Sequence, residues 1–412
     1  MVLSNFTTET LSDFFERMKE LHRVRANILK SITSGESIKI KNLIKLERIR
    51  SQLENIAIED EKYTLKNNDG KNVFIELDYE LGELKKDNIF LKHGEKELVN
   101  YLSNIYNSFS QQVESGVTFI KKYRFDHFVT DRDGTVSNYC GRYKSSIQSI
   151  YNAISLSEFS KSIDGQSIIL TSAPLFNEGL LSVSLQNDNE YVLSGSKGRE
   201  ILFKGKEYKY EISELEESKM AQLENAIFKL LKKDEFSTFK NIGSGFQRKF
   251  GQITIARQDK NGSIDETKSK DFRNEILSII SKVDNDNEFF SIEDTGLDLE
   301  IMLNIKSEDQ NIEEFDKGHG LKFIFEQLNE NIKGKTVLIC GDTHSDVPML
   351  EMAQKMGAKV VSIFVTEEDE LKEKVKEVCK HYYFVSSPDV LIYILYKYSK
   401  INNSNTMTNY FL

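Results

Sequence analysis

The chain has 412 residues with a net charge of −10, from 65 acidic and 55 basic side chains, and 39% of it is hydrophobic. That length predicts two or three units with real cores, and the acidic balance argues against nucleic acid as a partner, because binding a phosphate backbone needs clustered positive charge. No apolar run approaches the roughly 18 residues that a membrane span needs. The three cysteines, Cys140, Cys340 and Cys379, are odd in number and far apart, unlike a disulfide framework, and the amino terminus lacks a basic stretch followed by an apolar one, so a cytoplasmic location is expected.

The first region, residues 1–118, carries apolar stripes at helical spacing: Leu11, Phe14, Met18, Leu21, Ile28 and Ile32, then Leu43, Leu46, Ile49, Leu53 and Ile56, then Leu98, Leu102, Ile105, Phe109 and Val113. Each helix has one face to bury, so a bundle of three is expected, suited to a protein partner or to self-association. Asn68-Asp69-Gly70 is a turn signal between the second and third stripes. The stretch after it, Val73 to Tyr79, fits strand or helix.

From Phe125 the period changes. Short β-prone segments end in polar loops and alternate with helical patterns: the run into Asp131, Ser167 to Leu170, Thr336 to Cys340, Ala358 to Val365 and His381 to Val385. The expectation is an α/β, doubly wound, mostly parallel sheet over 119–205 and 312–400, with ligands at the carboxyl ends of its strands. Residues 206–311 break the alternation. Candidate strands at Tyr208–Ile212, Gln252–Ala256 and Asp298–Asn304, with helical patterns over Ser213–Lys232 and Lys268–Val283, predict an inserted α+β cap. The last residues, 401–412, read as a tail.

Four polar clusters fall at strand ends or helix starts. Asp131-Arg132-Asp133-Gly134-Thr135 places two carboxylates beside a glycine that can turn sharply and leave N–H groups open to an anion. Gly341-Asp342-Thr343-His344-Ser345-Asp346 supplies two more carboxylates, and an oxygen-only donor set suits a hard cation such as magnesium. Thr171 ends a strand with a hydroxyl able to donate to a phosphate oxygen, and Lys317-Gly318 sets a cation at a helix start. His344 reads as a bystander in its loop.

Taken in this order, the four clusters resemble the motifs of the haloacid dehalogenase superfamily, and the long insertion resembles the cap of its sugar-phosphatase branch. Within that branch the chain is similar to trehalose-6-phosphate phosphatases with a helical amino-terminal region. The resemblance implies hydrolysis of a sugar phosphate through an aspartyl-phosphate. Asp131 would be the nucleophile, Asp133 the acid and base, and Thr171 and Lys317 the phosphate holders. Magnesium would lie on Asp131, Asp133, Asp342 and Asp346. Gly195-Ser196-Lys197-Gly198-Arg199-Glu200 stands where the family has a Gly-x-His-Gly-x-Glu segment, and Glu293-Asp294-Thr295 where it has Glu-x-Lys, which makes Lys197, Arg199, Glu200 and Glu293 the expected sugar contacts. Lys197 replaces a histidine, Thr295 a lysine, and Arg132 sits where an aromatic residue is common. A phosphatase or phosphomutase for another sugar phosphate, of sucrose-phosphate or mannosyl-phosphoglycerate type, or a catalytically silent regulatory protein, would share much of this pattern.

Overall fold

The structure is a computed structural model that describes residues 7–59, 62–67, 70–259, 262–306 and 311–402. Asn68 and Asp69 of the expected turn, and 403–412 of the expected tail, lie outside the described residues.

Helices α1 (Leu11–Thr33) and α2 (Ile40–Glu54) bury most of the first two stripes, with Leu43 left exposed, and α1 starts at a Thr10/Asp13 capping box that satisfies otherwise orphaned N–H groups. A small antiparallel sheet follows: β1 (Ile58–Glu59), β2 (Lys62–Lys66) and β3 (Asn72–Ile75), which resolves the ambiguous stretch as a strand ahead of a helix. Helix α3 (Asp78–Ile105) then breaks before α4 (Phe109–Ile120), with Ser108 left-handed at φ 56°. The third stripe therefore spans two helices; Leu84 at the start of α3 joins α1 and α2 in one buried cluster, so the expected helical bundle forms, while the stripe itself runs on to another surface. Leu98, Leu102, Phe109 and Val113 pack into one cluster with Leu391, Ile394 and Leu395 of the last helix, α12 (Pro388–Asn402). The apolar face of α1 and α2 in turn shares a cluster with Ile147, Ile150, Ala153 and Ile154.

Among the described residues the main sheet has eight strands, which begin, from one edge to the other, at Tyr382, Lys359, Thr336, His127, Ser167, Tyr191, Glu200 and Lys206. The chain lays down β4 (His127–Thr130), then α5 (Ile150–Ser160), β5 (Ser167–Leu170), the short α6 (Leu180–Val183) and β6 (Tyr191–Gly195), moving outward in parallel. It turns back through β7 (Glu200–Phe203) and β8 (Lys206–Lys209), both joined by antiparallel pairing. The strand expected near Tyr208 thus forms the edge of this sheet and is not part of the insertion.

The insertion comprises α7 (Glu214–Leu230), β9 (Phe246–Lys249), β10 (Gln252–Ala256), α8 (Glu266–Val283), β11 (Phe290–Asp294), β12 (Asp298–Lys306) and β13 (Ile312–Glu314). Its antiparallel sheet buries Ile253, Ile255, Leu299 and Ile301 on one face against Leu223, Ile227, Phe272 and Ile276 of the two helices. The chain enters at Tyr210 and leaves at Phe315, and these two rings meet edge to face with centroids 4.9 Å apart.

After α9 (Lys317–Gln327), strand β14 (Thr336–Gly341) docks beside β4, with Cys340 opposite Thr130. Then α10 (Val347–Lys355), β15 (Lys359–Val365), α11 (Asp369–Val378) and β16 (Tyr382–Val385) extend the sheet the other way. The chain order reverses between β4 and β14, so the loops that leave their carboxyl ends run to opposite sides and leave a crevice between them. No helix among the described residues is long and apolar enough to cross a membrane.

Candidate active site

Asp131 follows β4 and Asp342 follows β14, on the two sides of this crevice. The Asp131 N–H donates to the carbonyl of Cys340 at 3.0 Å, which ties the two strand ends together. Gly134 has φ +90°, and a Cβ there would lie 2.1 Å from an Asp342 carboxylate oxygen, so only glycine lets the two loops come this close. Thr135 returns its hydroxyl to Asp342 at 2.7 Å and lies 3.5 Å from Asp131 Oδ2.

Lys317, at the start of α9, is 3% exposed and sits between two carboxylates: Asp131 at 2.6 Å and Asp346 at 2.5 Å. Asp346 Oδ2 also accepts the N–H groups of Asp342 and Thr343, each at 3.0 Å, and the Thr343 hydroxyl at 3.1 Å. Asp346 therefore shapes the 341–346 loop and fixes the lysine while its own oxygens are taken. Asp133 bonds to the guanidinium of the buried Arg132. Thr171 stands at the end of neighbouring β5, and its oxygen accepts the Ala173 N–H at 3.2 Å, which leaves the hydroxyl hydrogen for a ligand.

The electrostatics favour an added cation. Four carboxylates (Asp131, Asp133, Asp342, Asp346) face two fixed cations, Lys317 and Arg132. Burial, followed by the neighbouring Asp131 and Asp346 charges, pushes the Asp342 carboxyl up to about 9. Burial also raises Asp131, to about 6, against the pull of Lys317, and it raises Asp133. Burial opposes the charge on Lys317, but Asp131 and Asp346 outweigh it and hold the ammonium well above its ordinary value. Carboxylate oxygens of Asp131, Asp342 and Asp346 lie within 4.8 Å of one another. A close set of hard oxygen donors with excess negative charge fits a divalent metal.

The expected sugar contacts divide. Lys197 stands in the left-handed region at φ 58°, as does Ser196 at φ 52°, and such backbone costs on the order of 1–3 kcal/mol per residue unless its surroundings enforce it. Two contacts enforce it. Glu200 accepts the Ser196 hydroxyl at 2.6 Å and the Leu175 N–H at 3.2 Å. Gly198 lies so close to α9 that a Cβ on it would be 2.2 Å from Gly320 Cα. The Lys197 ammonium then meets the insertion: Glu314 at 3.6 Å, Glu300 at 3.7 Å and Glu293 at 3.9 Å. Glu200 is thus a brace for its own loop. Arg199, expected to contact the sugar, instead donates to the carbonyls of Gly251 (2.6 Å) and Leu303 (2.5 Å) and stacks on Phe315 at 4.3 Å, joining insertion to sheet. Thr295 closes the β11–β12 turn on Asp298, and His344 faces Glu368 in solvent at 3.6 Å.

Sequence reasoning missed Glu300, Glu314, Lys249 and Gln252. Gln252 donates to Glu300 at 2.9 Å, and Lys249, opposite Gln252 in register, is buried with its ammonium pulled below its ordinary value. The signal was the alternation Gln252-Ile253-Thr254-Ile255 and Leu299-Glu300-Ile301-Met302, whose polar members lie on the sheet face away from α7 and α8.

Two family models cover nearly all of this architecture: the trehalose-6-phosphate phosphatase C-terminal model matches residues 128–391, and the N-terminal helical bundle model of the same enzymes matches residues 10–109. The chain belongs to the trehalose-6-phosphate phosphatase family. Curated relatives include alpha,alpha-trehalose-phosphate synthase (UDP-forming) 1 of Caenorhabditis briggsae, 30% identical over 95% of this chain and 31% of its own length. The trehalose-phosphatase of Caenorhabditis elegans is 32% identical over 64% of this chain and 61% of its own. The chain thus spans about a third of the length of the first of these family relatives. A solved C-terminal domain of C. albicans trehalose-6-phosphate phosphatase superposes over 70% of this chain and 97% of its own at 12% identity, with a TM-score of 0.49.

Proposed function

We propose that the chain is a magnesium-dependent phosphatase that hydrolyses trehalose 6-phosphate to trehalose and phosphate through an aspartyl-phosphate at Asp131. The observation that carries this reading is the meeting of Asp131, Lys317, Asp342 and Asp346 at the crevice where the sheet reverses, in a chain of this family.

Asp131 and Asp342, with the Asp133 carbonyl, would hold the metal, and Asp346 would keep their loop and Lys317 in place. Bound there, magnesium neutralises charge on the phosphoryl oxygens and so lets a carboxylate approach a dianion. Lys317 adds a fixed positive point, and its two carboxylate partners keep it protonated. An Asp131 oxygen attacks phosphorus in line as the bond to the sugar oxygen breaks. Asp133 gives that oxygen a proton. The same carboxylate then takes a proton from the water that cleaves the acyl-phosphate and frees Asp131. Thr171 and the N–H groups after Asp131 hold the phosphoryl oxygens.

The sugar would lie between the Lys197 loop and the polar face of the insertion, where Glu293, Glu300 and Glu314 offer acceptors to hydroxyl groups. The trehalose-phosphatases among the relatives support trehalose as that sugar. A cytoplasmic location belongs to the same proposal, in keeping with three buried, free cysteines.

The test is inorganic phosphate release from a panel of sugar phosphates. Trehalose 6-phosphate should be the preferred substrate, chelation with EDTA should abolish release and magnesium should restore it. Full activity in EDTA would sink the metal assignment, and preference for another sugar would sink the substrate.

A further inference from the structure

Two buried networks leave the helical region and end on the segment that carries Asp133. In the first, Arg25 of α1, 1% exposed, donates to Asp87 of α3 at 2.6 Å and to the carbonyl of Ile147 at 2.7 Å. The other oxygen of Asp87 accepts the N–H of Ile150 at 2.7 Å. The Tyr79 hydroxyl of α3 reaches the same Ile147 carbonyl at 3.3 Å and Ser137 Oγ at 3.2 Å. In the second, Asn138 donates to Glu83 of α3 at 3.1 Å and to Asp389 of α12 at 3.0 Å, and Lys86 of α3 closes on that aspartate at 2.8 Å. Helices far from the phosphate site in sequence therefore grip residues 137–150 on two sides.

Arg132 connects that gripped segment to the site. Its guanidinium donates to Ser146 Oγ at 3.0 Å, to the Ser146 carbonyl and to the Val183 carbonyl at 3.3 Å, and also to the Asp133 carboxylate. Its own carbonyl accepts the Val136 and Ser137 N–H groups at 3.0 and 2.9 Å. A planar fork with this many partners fixes where the carboxylate sits, and a lysine at this position has no fork to do so.

We propose that Arg132 is a positioning residue that holds the Asp133 carboxyl for proton transfer, that Tyr79 of the helical region holds its partner Ser137, and that Arg25 and Asp87 hold Ile147 and Ile150, next in the chain to its partner Ser146. The inference rests on the phosphatase reading above. In the first half-reaction the Asp131–phosphorus bond forms, the bond to the leaving oxygen breaks, and that oxygen takes its proton from Asp133. A sugar alkoxide needs that proton, whereas p-nitrophenolate leaves without it. A displaced Asp133 therefore slows the sugar ester more than the aryl ester.

The experiment is single-turnover cleavage with enzyme in excess and magnesium present, using trehalose 6-phosphate and p-nitrophenyl phosphate. In Arg132→Lys, sugar release should slow about tenfold more than p-nitrophenol release, and Arg25→Lys and Tyr79→Phe should bias the two rates in the same direction by less. In an Asp133→Asn background, Arg132→Lys should no longer change the ratio of the two rates. Equal slowing of both esters, or the same ratio change with Asp133 replaced, overturns the inference while leaving the phosphatase intact. A wild type that cleaves neither ester overturns the phosphatase reading and this inference with it. Should Arg132→Lys fail to fold, Tyr79→Phe, which removes one hydroxyl, carries the test alone.

Discussion

At the scale of single residues, the proposed mechanism separates groups that react from groups that hold them. Among the described residues, Asp131 is the only carboxylate placed both to bond Lys317 and to face Asp342 and Thr135 across the crevice. Asp131→Asn should keep the fold, since the amide preserves shape, and should lower turnover by more than about a thousandfold for want of a nucleophile; a near-normal rate would rule out Asp131 as the attacking group. Glu293 is half-exposed and meets Lys197 only at 3.9 Å, so its proposed work is on the sugar. Glu293→Ala should raise KM for trehalose 6-phosphate about tenfold and leave p-nitrophenyl phosphate within about twofold, the size of one lost hydrogen bond to a charged group; equal losses on the two substrates would count against a sugar contact. The meeting of Asp131, Asp342 and Asp346 was legible in the sequence because four clusters, each ordinary by itself, fall at strand ends and a helix start in the order of one superfamily's motifs. The fates of Arg199 and Glu200 were not, because a short motif says which residues are near a ligand and not which way each side chain turns. Arg199 closes the turn before β7 with helical backbone angles, and carbonyls of Gly251 and Leu303, distant in sequence, claimed it, while Glu200 begins the strand.

At the scale of elements, most strands and helices of the sheet and insertion fall close to where hydrophobic periodicity puts them, as with Gln252–Ala256 and α9 opening at Lys317. Periodicity reports one face at a time and does not name the surface that face covers, as the third apolar stripe shows. Its face is real, but the surface it covers is α12, almost three hundred residues later. That docking is reinforced by a buried polar cluster in which Asp389 accepts from Lys86, Tyr106 and Asn138, all at 3.0 Å or less. Asp389→Ala leaves the buried Lys86 and the half-buried Tyr106 and Asn138 short of a partner and should destabilise the protein by about 3 kcal/mol, readable as a lower urea midpoint at unchanged slope. An unchanged midpoint would mean that water replaces the carboxylate freely.

At the scale of the molecule, the helical region and the sheet are not independent beads. Ile147, Ile150, Ala153, Ile154, Val183 and Leu185 belong to the same buried cluster as Phe14, Leu21, Ile28 and Ile49. A truncation removing residues 1–105 would expose that apolar surface and should aggregate or lose its cooperative melt; a soluble monomeric fragment with a sharp thermal transition would show the opposite. The insertion is built differently, with a core of its own and two chain crossings at Tyr210 and Phe315 held ring to ring. Were the lobe to turn about these crossings, Glu314, one residue from Phe315, would move less than residues farther out such as Glu293. The Lys197 ammonium would then part from its three carboxylate neighbours unequally, and the Arg199 bonds to Gly251 and Leu303 would resist that turn.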